Sequence, residues 1–186
     1  MSTLALLSLV PLVAGVAALV RLHLVTTGLD PMRDAVSDYG TTPYHWLYRF
    51  QVVAFGLSAA LLTAALADAG GGVRTSGLVW LAIYAGARMA IAGFMIDRDV
   101  PAPTTQGRIH IVLATLAFTA IAVAASTIGP DLGGTVHSLG WAVVAAAVGT
   151  AVCRVVPQLM PSFGAVERLL YVATVAWLVA TALDLA

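Results

Sequence analysis

The stretch Phe94 to His110, FMIDRDVPAPTTQGRIH, sets two aspartates, two arginines and a histidine around two prolines, between apolar runs. Asp97 ends the run before it and His110 begins the run after it, so a helical hairpin would carry both side chains to one level. A carboxylate beside an imidazole fixes its tautomer and strengthens it as a base, the minimum for general-base chemistry. A structural Asp-His tie across a hairpin uses the same two residues, and their spacing does not separate the two roles.

The longest connection, TTGLDPMRDAVSDYGTTPYHWLY from Thr26 to Tyr48, holds the residues that could complete such a site. Asp30 before Pro31 has the form of an N-cap with proline in the first turn, which predicts a short interfacial helix over Pro31 to Val36, ended by Tyr39-Gly40. Asp34, Ser37 and Asp38 are then either caps and turn formers or the wall of a pocket facing the Phe94 to His110 hinge. With Ser37 or a water as nucleophile, His110 as base and Asp97 orienting it, the chemistry would be acyl hydrolysis or transfer. With binding alone, Asp38, Asp97, Asp99 and His110 would form a polar core and Arg49, Arg108 and Arg88 would neutralise a phosphate.

Arg88 lies within an apolar run, where a cation is costly and must face the bundle interior. Tyr84, one turn earlier, offers a hydroxyl, and a buried carboxylate or an anionic head group would offer charge. His23, His110, Asp38, Asp97 and Asp99 have the chemistry of zinc ligands, but no HxxxH or HxxE spacing sets two of them on one helix face, so no metal site is predicted. His110 and His137 fall at opposite ends of their runs, which argues against haem. No other cofactor is called for.

The elements that must position these groups are membrane helices. Of 186 residues, 60% are hydrophobic and 10% charged, with mean hydropathy +0.95, which places the chain outside the range of soluble domains. Six runs approach the 20 or so apolar residues of a span: 4–25, 47–66, 77–96, 109–128, 138–156 and 165–183. The expected fold is a single all-α integral membrane domain over residues 1–186. It is a bundle of six transmembrane helices, three successive helical hairpins with short connections. The first run lacks the basic flank of a secretory signal and reads as a retained span. Gly70-Gly71-Gly72, Gly129-Pro130 with Gly133-Gly134, and Pro157 with Pro161 mark breaks.

Six crossings put both termini on one side and gather most acids and arginines at the opposite face. Counting arginines places that face in the cytoplasm, though the interleaved acids weaken the rule. The chain has no lysine, and nine arginines balance nine acids, so nothing points to nucleic acid. Cys153 is alone, which excludes a disulfide framework. Alanines and glycines crowd the third and fifth runs, Ala85, Gly86 and Ala90 in one and Ala145, Ala146 and Gly149 in the other, and allow close helix approach.

DPMRDAVSDYGTTPYHWLYRFQVVAFGL, FMIDRD, QGRIHIVLATLAF and ERLLYVATVAWLVATAL together resemble the domain-of-unknown-function 998 family of six-helix prokaryotic membrane proteins. More distantly, Ser-Asp-x-Gly and the helix-opening histidine resemble the eukaryotic membrane proteins that include autophagy modulators and a GPI-anchor lipid-remodelling factor. The resemblance implies a six-helix fold in a prokaryotic plasma membrane and marks Ser37, Asp38, Gly40, Asp97, His110, Arg168 and Trp177. It implies no activity. Three readings follow: a head-group-level pocket that handles a membrane lipid or other amphiphile, an intramembrane acyl hydrolase or transferase, and a non-catalytic accessory subunit that packs on a membrane-protein partner or on its own copies. No broken-helix pair marks a transporter.

Overall fold

A computed structural model describes residues 2–70, 72–98 and 100–186. The described residues form six α-helices: α1 (Thr3–Leu24), α2 (His45–Asp68), α3 (Thr75–Ile91), α4 (Thr105–Leu132), α5 (Gly134–Val155) and α6 (Phe163–Asp184). Two 3₁₀ helices, Val36–Thr41 and Pro157–Ser162, lie in the connections before α2 and before α6. Five segments are long and apolar enough to cross a bilayer, namely α1, α2, α4, α5 and the stretch Pro157–Asp184 that ends in α6. The protein is a multi-pass integral membrane protein. At 17 residues α3 is the short member, about 25 Å at 1.5 Å per residue against a hydrocarbon core of roughly 30 Å.

Helices adjacent in sequence pack on one another, and α6 closes the bundle by also touching α1, α2 and α4. Trp177 of α6 is fully buried. Beside it, a Cβ on Gly140 of α5 would lie 2.7 Å from the Ala125 carbonyl of α4, so these two backbones approach as only glycine permits. The chain ends also meet, because the Ser2 N–H donates to the Leu185 carbonyl at 2.9 Å.

Three local expectations need correction. The apolar pattern of the third run predicts helix to residue 96, but α3 stops at Ile91, where Ala92, Gly93 and Phe94 turn back onto Met89, Ala90 and Ile91 in tighter bonds. Arg88 therefore sits in the last turn of α3, and Asp97 lies beyond the helix. Second, Pro130 does not break α4, which runs on to Leu132. A proline in the last turn forfeits one backbone bond only, and Asp131 beside it accepts the Arg74 N–H at 2.9 Å, joining the end of α4 to the start of α3. Gly133, at φ 73°, ends the helix, so the break falls at the Gly133-Gly134 part of that stretch.

Third, the expected helix over Pro31 to Val36 is a single turn, closed by Asp34 N–H to the Asp30 carbonyl at 2.8 Å and capped by Asp30 Oδ1 on Met32 N–H. It cannot continue, because α6 claims its backbone. Ala165 N–H donates to the Met32 carbonyl, Arg168 Nη1 donates to the Asp34 carbonyl, and Glu167 Oε2 accepts the Val36 N–H. The 3₁₀ helix follows later, with Tyr39 and Gly40 inside it.

Candidate ligand cavity

The first connection and the hinge after α3 meet. Arg98 of the hinge pairs with Asp34 of the first connection at 3.5 Å, and Arg49 at the start of α2 donates to the Met95 sulfur at 3.1 Å. Arg168 fixes the first connection from behind. Its Nε donates to His23 Nε2 at 2.7 Å, and its Nη1 donates to the carbonyls of Asp34 and Gly164, both at 2.9 Å. His23 accepts at Nε2, so the neutral ring carries its proton at Nδ1 and donates it to the Leu19 carbonyl at 2.7 Å. One arginine thus ties α1, α6 and the first connection together.

Between this assembly and the α4-α5 pair lies a cavity of about 760 Å³. Its polar end is lined by Arg33, Ser37, Asp38, Asp97, His110, Arg154 and Glu167. From there it follows α4 past Ile111, Ala114, Phe118 and Ala122 to Val123, with Ala147, Val148 and Ala151 of α5 opposite. Thr115 and Thr119 are the polar side chains that α4 adds to this track. His110 to Val123 is 13 residues, about 20 Å of helix. The cavity is therefore amphipathic along its length.

Asp97 and His110 share the cavity but do not orient each other. Asp97 Oδ2 accepts the Thr104 N–H at 2.7 Å and Oδ1 accepts the Thr104 hydroxyl at 2.8 Å, while Thr104 Oγ1 in turn caps α4 by accepting the Gly107 N–H. A Cβ on Gly107 would overlap that carboxylate, so glycine lets it sit against the first turn. Asp97 is the clasp of the hinge. His110, 1% exposed, places Nδ1 2.9 Å from the Phe94 carbonyl. A carbonyl only accepts, so Nδ1 carries the proton and the neutral ring keeps its lone pair at Nε2. The early end of α3 frees this carbonyl, and it takes the orienting role expected of Asp97.

Ser37 and Asp38 line the cavity from the 3₁₀ helix. Asp38 Oδ2 accepts the Ala35 N–H at 2.9 Å, and partial burial pushes the carboxyl above its ordinary range against the opposing pull of that bond and of Arg98 and Arg154. Arg49 and Arg108 are exposed and lie outside the cavity lining, so the arginines at the polar end are Arg33 and Arg154 instead. Asp99 lies outside the described residues. Glu167, 4% exposed, is the acidic group that sequence reasoning left out of the site. A lone glutamate entering an apolar run was its signal.

Arg88 occupies a separate interior centre. It is 2% exposed, donates from Nη1 to the Tyr171 hydroxyl at 2.9 Å, and lies 5.1 Å and 5.7 Å from the ring centres of Tyr171 and Phe55. Its Nε and Nη2 have no hydrogen-bond partner among the described residues. Beside it is a void of about 10 Å³ lined by Tyr84, Tyr171 and Thr174, about the room one water needs. Arg88 does not line the large cavity.

The chain matches, over residues 9–184, the family described as protein of unknown function DUF998. It belongs to that family. No curated protein and no solved structure matches it. Of the DUF998 marks named above, Ser37, Asp38, Asp97 and His110 line the polar end of the cavity, and Arg168 fixes the connection behind it. Gly40 packs against the Tyr48 ring, and Trp177 lies beside Gly140 where α4 and α5 close.

Proposed function

We propose that this DUF998 protein binds a membrane lipid or similar amphiphile, with the head among Asp38, His110, Arg154 and Glu167 and one chain along the α4-α5 track. The observation that carries this reading is one cavity with a charged end and an apolar end, flanked by α4 and α5. Burial of apolar chain surface supplies affinity at roughly 0.8 kcal/mol per methylene, and the polar end supplies selection. The accessory-subunit reading expects a closed interior, which the cavity disfavours.

Six crossings agree with this placement if α3, lengthened by the turns after Ile91, spans a locally thin region. The Ser2–Leu185 bond supports both ends on one side. The setting is the plasma membrane of a prokaryote.

Native mass spectrometry of gently extracted protein tests the pocket. Retained lipid is expected, and it should be lost in Ala114→Trp, which fills the track, and reduced in His110→Ala. A protein that emerges free of lipid under conditions that keep it folded would refute the reading.

A hydrolytic version has one specific support, since Ser37 and His110 line the same cavity and His110 Nε2 has the lone pair of a base. Nε2 would accept the proton of Ser37 or of a water as that oxygen attacks an ester carbonyl, and would return it to the alcohol oxygen as the ester C–O bond breaks. Release of free fatty acid from a bound ester, abolished in His110→Gln with either nucleophile and in Ser37→Ala where the serine attacks, would establish it. Bound ester that stays intact over hours would remove it.

A further inference from the structure

Building on the lipid-pocket reading, we propose that the head group of the bound lipid carries a primary ammonium. At the polar end of the cavity three side chains each have one polar atom committed to the backbone and one left over. Glu167 accepts the Val36 N–H through Oε2 at 2.7 Å, which leaves Oε1 without a protein partner among the described residues. Asp38 accepts the Ala35 N–H through Oδ2, which leaves Oδ1. His110 donates from Nδ1 to the Phe94 carbonyl, which leaves the lone pair of Nε2. Asp97, with both oxygens on Thr104, has no such remainder.

The left-over atoms are all acceptors, and two belong to carboxylates. The ion pairs of the described residues are Arg33–Asp30, Arg74–Asp131 and Arg98–Asp34, so neither Asp38 nor Glu167 is matched at ion-pair distance. A carboxyl as buried as Glu167 stays ionised only against a countercharge or a set of donors, and otherwise takes up a proton. A primary ammonium brings both, one positive charge and three N–H groups. A hydroxylated head brings donors without charge, a quaternary ammonium brings charge without N–H, and a fatty-acid carboxylate brings neither. The exposed guanidinium of Arg154, joined by that of Arg33 beyond its long, exposed pairing with Asp30 at 3.7 Å, can pair with a phosphodiester.

The test loads the full-length protein from mixed micelles holding equal phosphatidylethanolamine, phosphatidylcholine and phosphatidylglycerol with identical chains, and reads the bound lipid by native mass spectrometry. Phosphatidylethanolamine is expected to exceed each competitor by about tenfold, the low end of what a hydrogen bond to a charged group contributes. In Glu167→Gln the amide oxygen can still accept the Val36 N–H, so thermal unfolding should hold while the preference for ethanolamine over choline collapses toward unity. Asp38→Asn, whose amide oxygen can still cap Ala35, provides a second variant with the same expected direction. Equal retention of ethanolamine and choline lipids, or preference for the glycerol head, overturns the ammonium assignment and leaves the pocket standing. Retention of none of the three removes the pocket reading itself.

Discussion

The two ends of the α4-α5 pair differ in what stands between the helices. Near Gly133 the backbones touch, with Gly140 against the Ala125 carbonyl and Gly129 against His137. At the far end, from His110 and Thr150 outward, the same helices flank a cavity and the first connection closes one side of it. Small residues alone do not explain this difference, because Ala114, Ala147 and Ala151 are small and face open space. What separates the ends is the clasp by α6, in which Glu167 and Arg168 hold the first connection over the polar mouth. Lipid offers no hydrophobic drive to pull helices together, so contact needs fitted surfaces and a gap can persist where a chain fills it.

The contrast breaks most readily at its closed end. Gly140→Leu drives a side chain into a backbone carbonyl that cannot turn aside, and a loss of about 3 kcal/mol or a failure to fold is expected in thermal unfolding in micelles. If the variant unfolds like the wild type, the close contact is not what secures this end. Arg168→Ala comes next, since it removes bonds to His23, Asp34 and Gly164 together. About 2 to 3 kcal/mol should be lost, with faster hydrogen exchange at Val36 to Thr41. Unchanged exchange there would show that the connection does not depend on the clasp.

At the open end the effect should fall on binding. Ala147→Phe has room in the track, so stability should change by less than about 1 kcal/mol while retained lipid drops about tenfold. A stability loss as large as that of Gly140→Leu would mean that the two ends are packed alike.

The smallest effect concerns Asp38. Burial holds its carboxyl above the ordinary range, so the folded protein binds this proton more readily than the unfolded chain. Stability from this group is greatest at low pH and is lost as pH rises from the ordinary carboxylate value through the raised one. Asp38→Asn should flatten that part of the pH profile of the melting temperature. A steeper profile would reverse the sign assigned to this group.

The membrane class, the helix order and the gathering of polar residues in the Ser37-Asp38 and Asp97-to-His110 segments, which line one cavity, were legible because apolar length and charge placement are local properties of a chain. The short end of α3 was hidden, since Ala92 and Gly93 continue an apolar pattern while the backbone has already turned. Pro130 misled in the opposite direction, because its cost depends on its position within the turn. Asp97 was read toward His110, yet its partner Thr104 is only seven residues away. Glu167 could not be assigned a role from its surroundings, because the amide it serves is 131 residues distant. Arginines show the same limit, since sequence gave no means of preferring Arg33 and Arg154 over Arg49 and Arg108 at the cavity.

The central claim, that a lipid chain lies along α4 with its head at His110, is most directly tested by photo-crosslinking. A phospholipid with a diazirine at the end of its chain would be equilibrated with the protein in vesicles, irradiated, and its attachment sites mapped by mass spectrometry. The account predicts labelling concentrated at Phe118 to Val123 and the facing Ala147 to Ala151, well above that on outward residues such as Val10 and Val13 of α1. Labelling spread evenly over all the exposed apolar faces would contradict it.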